Sequence, residues 1–123
     1  MFDLLTFTFA TSLAAARSAP VPFACRPNAL DKAQRQRQQA LLETVRRAAR
    51  AAHQLPDGVA LSFPPDAALL VQIAEWIGLE RRCCPFLEFG LAWTRDDVVS
   101  VRLSGAPGVK ELIAAEIGIA PSR

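Results

Sequence analysis

The sequence predicts an α+β fold, a two-layer sandwich in which a mainly antiparallel sheet carries helices on one face. Apolar residues recur at intervals of three, four and seven between Ala29 and about Gln54, the signature of a helix with one buried side. They alternate strictly from Leu87 to Trp93 and again from Val99 to Leu103, which reads as a β-hairpin with one buried face. The elements then follow as strand, helix, strand, helix, hairpin, helix, an order that suits helices packed on an antiparallel sheet.

Taken in order, Phe2 to Phe9 is rich in aromatic and apolar residues and suits a strand with Phe7 and Phe9 on one face. Ala10 to Ala19 has no clear period, and Pro20 and Pro22 break any helix. Residues 1–20 are therefore read as an N-terminal extension, strand or loosely ordered, and residues 21–123 as a single α+β domain. The extension is apolar and ends in small residues as a signal peptide does, but Asp3 is its only charge before Arg17, so it lacks the basic start.

Val21 to Arg26 suits a short strand that carries Cys25. Pro27-Asn28 starts the first long helix, with Asn28 as its N-cap and Asp31 in its first turn, and Pro56-Asp57-Gly58 ends it as a turn. Val59, Leu61 and Phe63 alternate with Ala60 and Ser62 as a strand. Pro64-Pro65-Asp66 opens a second helix, where proline is tolerated and an acid suits the positive end. Pro107 opens a last helix that buries Val109, Leu112, Ile113 and Ile117, with Gly118 beyond its end.

A chain of 123 residues forms one domain able to bury roughly two thirds of its unfolded surface. At 51% hydrophobic and 21% charged residues it is neither disordered nor a membrane protein, and no apolar run reaches the ~18 residues that span a bilayer. A net charge of +2 does not indicate nucleic acid. Lys32, Arg35, Arg37, Arg46, Arg47 and Arg50 form a basic stripe against Glu43 alone, read as a solvated helix face. The odd count of three cysteines argues against a disulfide framework and for a reducing, cytoplasmic setting. Homo-oligomerisation is left open.

The chemistry-bearing stretch is Glu80-Arg81-Arg82-Cys83-Cys84-Pro85-Phe86. Ile73, Ile77, Glu80 and Cys84 fall on one helical stripe, so the acid and the second thiol continue the core-facing row. Pro85 disfavours helical backbone at Cys84 and unwinds the chain between the two cysteines, which is what neighbouring thiols need in order to converge. With Cys25 as a third thiol, Cys25, Cys83 and Cys84 form a candidate ligand set for a soft or borderline ion, Hg(II), Cu(I) or Zn(II). Glu80 would serve as proton acceptor or oxygen ligand, Arg81 would bear on the local field, and Phe86 would belong to a hydrophobic collar with Trp76 and Phe89. His53, placed among alanines on the first helix, lacks the paired spacing of a ligand.

The same residues also allow a thiol redox switch or a cysteine-dependent enzyme. A vicinal disulfide would join Cα atoms ~3.8 Å apart, below the ~4.4 Å lower end of relaxed disulfides, so it would be strained and easily reduced. A helix C-terminus disfavours a thiolate, which is the reverse of the placement that activates catalytic cysteines and turns the preference toward a ligand set.

The run Glu80-Arg81-Arg82-Cys83-Cys84-Pro85-Phe86-Leu87-Glu88-Phe89 resembles that of a family of small bacterial proteins with an E-x-x-C-C-P-F-x-x-F motif. More loosely, the resemblance extends from Phe23-Ala24-Cys25 through Arg35 and Leu55-Pro56-Asp57-Gly58 to Ser104-Gly105-Ala106-Pro107-Gly108-Val109-Lys110, over roughly residues 21–118. Such segments occur beside or fused to regulators of the mercury-resistance type, which implies heavy-metal or thiol stress as the context. In residue types alone the set is also similar to the organomercurial lyases, which implies an acid in Glu80 and thiols in Cys25 and Cys83 or Cys84 for protonating a carbon–mercury bond.

Overall fold

Leu55 and Gly58 pair directly across the two residues Pro56 and Asp57, and this tight hairpin sets the first half of the sheet. A computed structural model describes residues 26–118 of the chain. After a 3₁₀ turn, Pro27–Ala29, it runs as α1 Lys32–Ala48, β1 Ala51–Leu55, β2 Gly58–Phe63, α2 Ala67–Cys83, β3 Glu88–Trp93, β4 Val99–Ser104 and α3 Val109–Ile117. The four strands form one antiparallel sheet in the order β1-β2-β4-β3. The architecture is α+β, as the alternation of patterns predicts.

The first helix is shorter than its periodicity predicts, and His53 lies on β1, not on a helix. Helix α1 closes where the Ala49 N–H donates to the Val45 carbonyl and Ala49 turns extended (ψ 125°). The Arg50 N–H then reaches the Ser62 carbonyl and five residues zip onto β2. The helical preference of Ala, Gln and Arg amounts to only tenths of a kcal/mol per residue. A hairpin that buries Ala52 opposite Leu61 outweighs it. The start of α1 also moves: Asn28 lies in the 3₁₀ turn, and the N-cap is Asp31. Asp31 accepts from the Gln34 N–H while the Gln34 side chain accepts from the Asp31 N–H, a reciprocal capping box.

The later elements fall where the sequence predicts them. Asp66 caps α2 by accepting from the Leu69 N–H, and β3 and β4 form the hairpin with Leu91 opposite Val101 and Trp93 opposite Val99. Asp97 takes a left-handed φ of 63° in the turn between them. Gly118 ends α3 with φ 74°, a conformation a side chain would strain. The strand expected over Val21 to Arg26 lies outside the described residues except for Arg26, which is not in a strand, and residues 1–20 lie wholly outside them.

The sheet buries one face. Val59, Leu61 and Phe63 of β2 and Val99, Val101 and Leu103 of β4 are almost completely enclosed, whereas Ala60, Ser62, Ser100 and Arg102 between them are half-buried or exposed. Each such side chain contributes about 1.5–3 kcal/mol by leaving water. Helix α2 reaches that face through Trp76, whose ring meets Phe89 of β3 edge-on, centroids 5.9 Å apart. Helix α3 adds Val109, Ile113 and Ile117 to the same core and meets β2 and β4. Helix α1 packs on α2, with Leu41 and Val45 buried and a two-pronged Arg37–Glu75 ion pair at the rim.

Candidate functional site: a thiol and a carboxylate at the end of α2

Helix α2 stops between the two cysteines. Cys83 is its last residue, and Cys84, with φ −122° and ψ 72°, has left helical geometry because Pro85 follows it. The chain end is then fastened from several sides. The Cys84 N–H donates to the Glu80 carbonyl at 2.6 Å, and the Arg26 N–H donates to the Cys83 carbonyl at 2.7 Å. These bonds satisfy carbonyls that a helix C-terminus otherwise leaves bare. Arg81 Nη1 donates to the Pro85 carbonyl at 2.8 Å and Arg82 Nη2 to the Ala29 carbonyl at 2.9 Å. Both arginines are exposed and act here as struts of the backbone around the site.

Spacing of four residues sets Glu80 beneath Cys84, as the stripe through Ile73 predicts. Glu80 is 8% exposed and Cys84 3%. The Glu80 carboxylate is held by its neighbours: Oε1 accepts from Trp76 Nε1 at 3.1 Å and from Gln38 Nε2 at 3.0 Å. Its second oxygen, Oε2, faces the Cys84 thiol, which donates to it across 3.8 Å. An acid and a thiol thus share a largely apolar setting, with the carboxylate oriented by two neutral donors.

Around the pair lies a small recess of about 10 Å³, room for roughly one water-sized group, lined by Glu80, Cys84, Phe86, Leu87, Leu112, Ile113 and Ile117. Phe86 and Leu87 also line a wider open groove between α2 and β3, of about 580 Å³, with Ile77, Arg81, Pro85, Glu88, Phe89 and Gly105. Phe86 and Phe89 line this groove together, whereas Trp76 lies buried beneath Phe89 and holds the carboxylate, so the three do not form the expected collar.

Cys83 and Cys84 are both buried. Among the described residues no group of three His, Cys, Asp or Glu side chains comes together as a metal centre. Cys25 lies outside the described residues; it is the residue joined covalently to the Arg26 nitrogen that bonds Cys83. His53 is exposed on β1. In the basic stripe, Arg37 is committed to Glu75, and Arg46 pairs with Glu43 and donates to the Ile117 carbonyl, which fits a structural helix face.

Gln38 is the site residue that sequence patterns do not find. It lies on a polar position of α1, 42 residues before the acid it contacts, and only the packing of α1 on α2 brings the two together. No protein-family model, curated protein or solved structure matches the chain.

Proposed function

We propose that the end of α2 is a thiolate centre that binds one soft or borderline metal ion, Hg(II), Cu(I) or Zn(II), for sequestration or sensing. The observation that carries this reading is the 3.8 Å separation of Cys84 Sγ from Glu80 Oε2. Tetrahedral zinc with a Zn–S bond of ~2.3 Å and a Zn–O bond of ~2.1 Å sets its sulfur and oxygen ligands roughly 3.6 Å apart. The pair fits one ion with almost no movement. Trp76 and Gln38 hold the other oxygen, Oε1, the kind of outer contact that orients a ligating carboxylate.

Electrostatics favours an ion over an activated nucleophile. Two thiols at a helix C-terminus sit at the negative end of the dipole, where a bare thiolate is disfavoured, and a bound cation reverses that penalty. Arg81 and Arg82, the nearest cationic side chains in sequence, are engaged with carbonyls. Cys83 and Cys25 complete the proposed set. A thiol enzyme is the second reading, favoured by the Cys84 thiol donating directly to a buried carboxylate that could accept its proton.

The test is titration of the fully reduced full-length chain with each ion. About one ion per chain, lost on Cys84→Ser and on Cys83→Ser, supports the centre. A reduced, folded protein that retains none of the three ions through gel filtration rejects it. An alkylation rate at Cys84 that rises well below the ordinary thiol pKa of ~8.5 would instead favour the enzyme.

A further inference from the structure

The acid and the thiol at the end of α2 are shut away from solvent. Both are buried, and of the residues lining the recess beside them only Phe86 and Leu112 are half-buried, so these two form its lips. The recess holds about one water-sized group, so an ion with any companion ligand reaches the pair only when a wall moves.

One wall is fastened. The Cys84 N–H donates to the Glu80 carbonyl, the Leu87 N–H donates to the Cys84 carbonyl at 3.1 Å, and Arg81 braces the Pro85 carbonyl. The other wall is α3, which supplies Leu112, Ile113 and Ile117. At nine residues α3 is shorter than a helix that holds by itself in water, so it stands by its packing on β2 and β4.

The two ends of α3 are held differently. At the N-terminal end Val109 is completely buried, and Gly105 lies so close that a Cβ there would come within 2.9 Å of the Val109 side chain. Gly108 then enters the helix with a left-handed φ of 98°, and among the described residues no side chain caps it. A glycine joint beside an anchored residue is the build of a hinge. At the C-terminal end, besides the burial of Ile117, the hold comes from α1. Arg46 Nε donates to the Ile117 carbonyl at 2.5 Å, with Nη1 3.8 Å from Glu43. Gly118 leaves room for that arginine, since a Cβ there would lie 3.2 Å from Arg46 Nη2. A cation on the last carbonyls also suits the negative end of a helix.

We propose that α3 is a lid over Cys84 and Glu80, hinged at Gly108 and latched by Arg46, and that its opening admits the ion. Its purpose, though not its motion, rests on the ion-binding reading of the site. At 1.5 Å per residue Ile117 lies about 12 Å from Val109, so a tilt of about 20° lifts it by about 4 Å. That movement parts Leu112 from Phe86 and uncovers the thiol, while the fastened wall keeps the carboxylate in place. Arg46 is thus a positioning residue, acting on the site through α3.

Alkylation of the reduced, metal-free, full-length chain with iodoacetamide, read separately at Cys83 and Cys84 by fragment-ion mass spectrometry, tests the lid. Cys84 lines the recess and Cys83 does not. Arg46→Met removes a charged hydrogen bond and should raise the Cys84 rate at least about tenfold, with Cys83 held within about twofold. Arg46→Lys keeps a donor and should restore most of the slow rate, whereas Gly118→Ala, which crowds Arg46, should speed Cys84 again. The pH profile should keep its shape, because the latch changes access and not the thiol. Equal acceleration of both thiols by Arg46→Met would be general loosening and overturns the lid, as does a Cys84 rate that Arg46→Met leaves unchanged. Ion titration is read separately: gated labelling of Cys84 in a chain that retains no ion supports the lid and rejects the metal centre.

Discussion

The Cys84 thiol donates to Glu80 Oε2 across 3.8 Å, on the carboxylate oxygen opposite the one that Trp76 and Gln38 hold. Glu80→Ala removes the acceptor of two buried or half-buried donors together with the thiol's partner. It is expected to cost about 2–4 kcal/mol in urea unfolding, since orphaned buried donors lose their full hydrogen-bond compensation. Glu80→Gln keeps one oxygen and should cost less. Equal stability of Glu80→Ala and the parent would mean that this network contributes nothing to the fold.

Ion binding should be seen from the inside by Trp76 and hardly at all by Trp93. The Trp76 indole donates to Glu80, whereas Trp93 is exposed at the far end of β3 and bonded to Asp97. Hg(II) is expected to quench the blue-shifted fraction of the fluorescence of the Trp93→Phe variant. In the Trp76→Phe variant the remaining emission should barely change. The reverse pattern would place the ion elsewhere.

If Zn(II) or Hg(II) is held by thiolates, saturation at a hundredfold excess over the dissociation constant should stabilise the chain by about 2.7 kcal/mol in a melt. Affinity should rise with pH, because binding displaces thiol protons. Glu80→Gln should lower affinity while leaving about one ion per chain, and Cys84→Ser should abolish the shift. A thermal shift that survives Cys84→Ser would remove this thiol from the ligand set.

Gly58 is needed for the hairpin. A Cβ there would come within 1.8 Å of the Leu103 carbonyl oxygen, which is backbone and cannot step aside without breaking the β2–β4 ladder. Gly58→Ala should therefore destabilise by more than about 2 kcal/mol, while Gly90→Ala, with open space, should leave the isolated chain at least as stable. Denaturant midpoints of the two variants, compared in dilute solution, check the contrast.

The exposed Arg37–Glu75 pair gives a small acid-side dependence. Hydrogen bonding from Arg37, with its charge adding to the effect, holds the Glu75 carboxyl below its ordinary value of 4.5. Its contribution is present above the ordinary carboxylate range and is lost as pH falls through the lowered value. Glu75→Gln should lower the midpoint slightly at neutral pH, with the difference closing toward strong acid and shrinking in high salt. A difference that grows on acidification would contradict the pairing.

Where the chain's own rhythm is strong, the structure follows it. The alternation through Leu87 to Trp93 and Val99 to Leu103 becomes β3 and β4 in register, and Asp66 and Gly118 bound their helices as their chemistry predicts. The stripe through Ile73, Glu80 and Cys84 is buried, and Pro85 ends α2 at Cys83. Residues 51–55 were not legible as a strand, since Ala-Ala-His-Gln-Leu has weak preferences of either kind. The local signal present is Pro56-Asp57, the two residues through which the hairpin turns, set beside a run of helical period.

The sequence by itself determined the α+β class, the apolar face of each long element and the juxtaposition of an acid and a thiol one turn apart. All of these follow from local period and from the backbone limits of proline and glycine. Only the tertiary structure decided that Gln38 and Trp76 hold the acid, that Arg81 and Arg82 brace carbonyls, and that β1 joins the sheet. Such contacts join residues tens of positions apart, and weak local preferences yield to whichever pairing buries more apolar surface and leaves fewer polar groups unmatched.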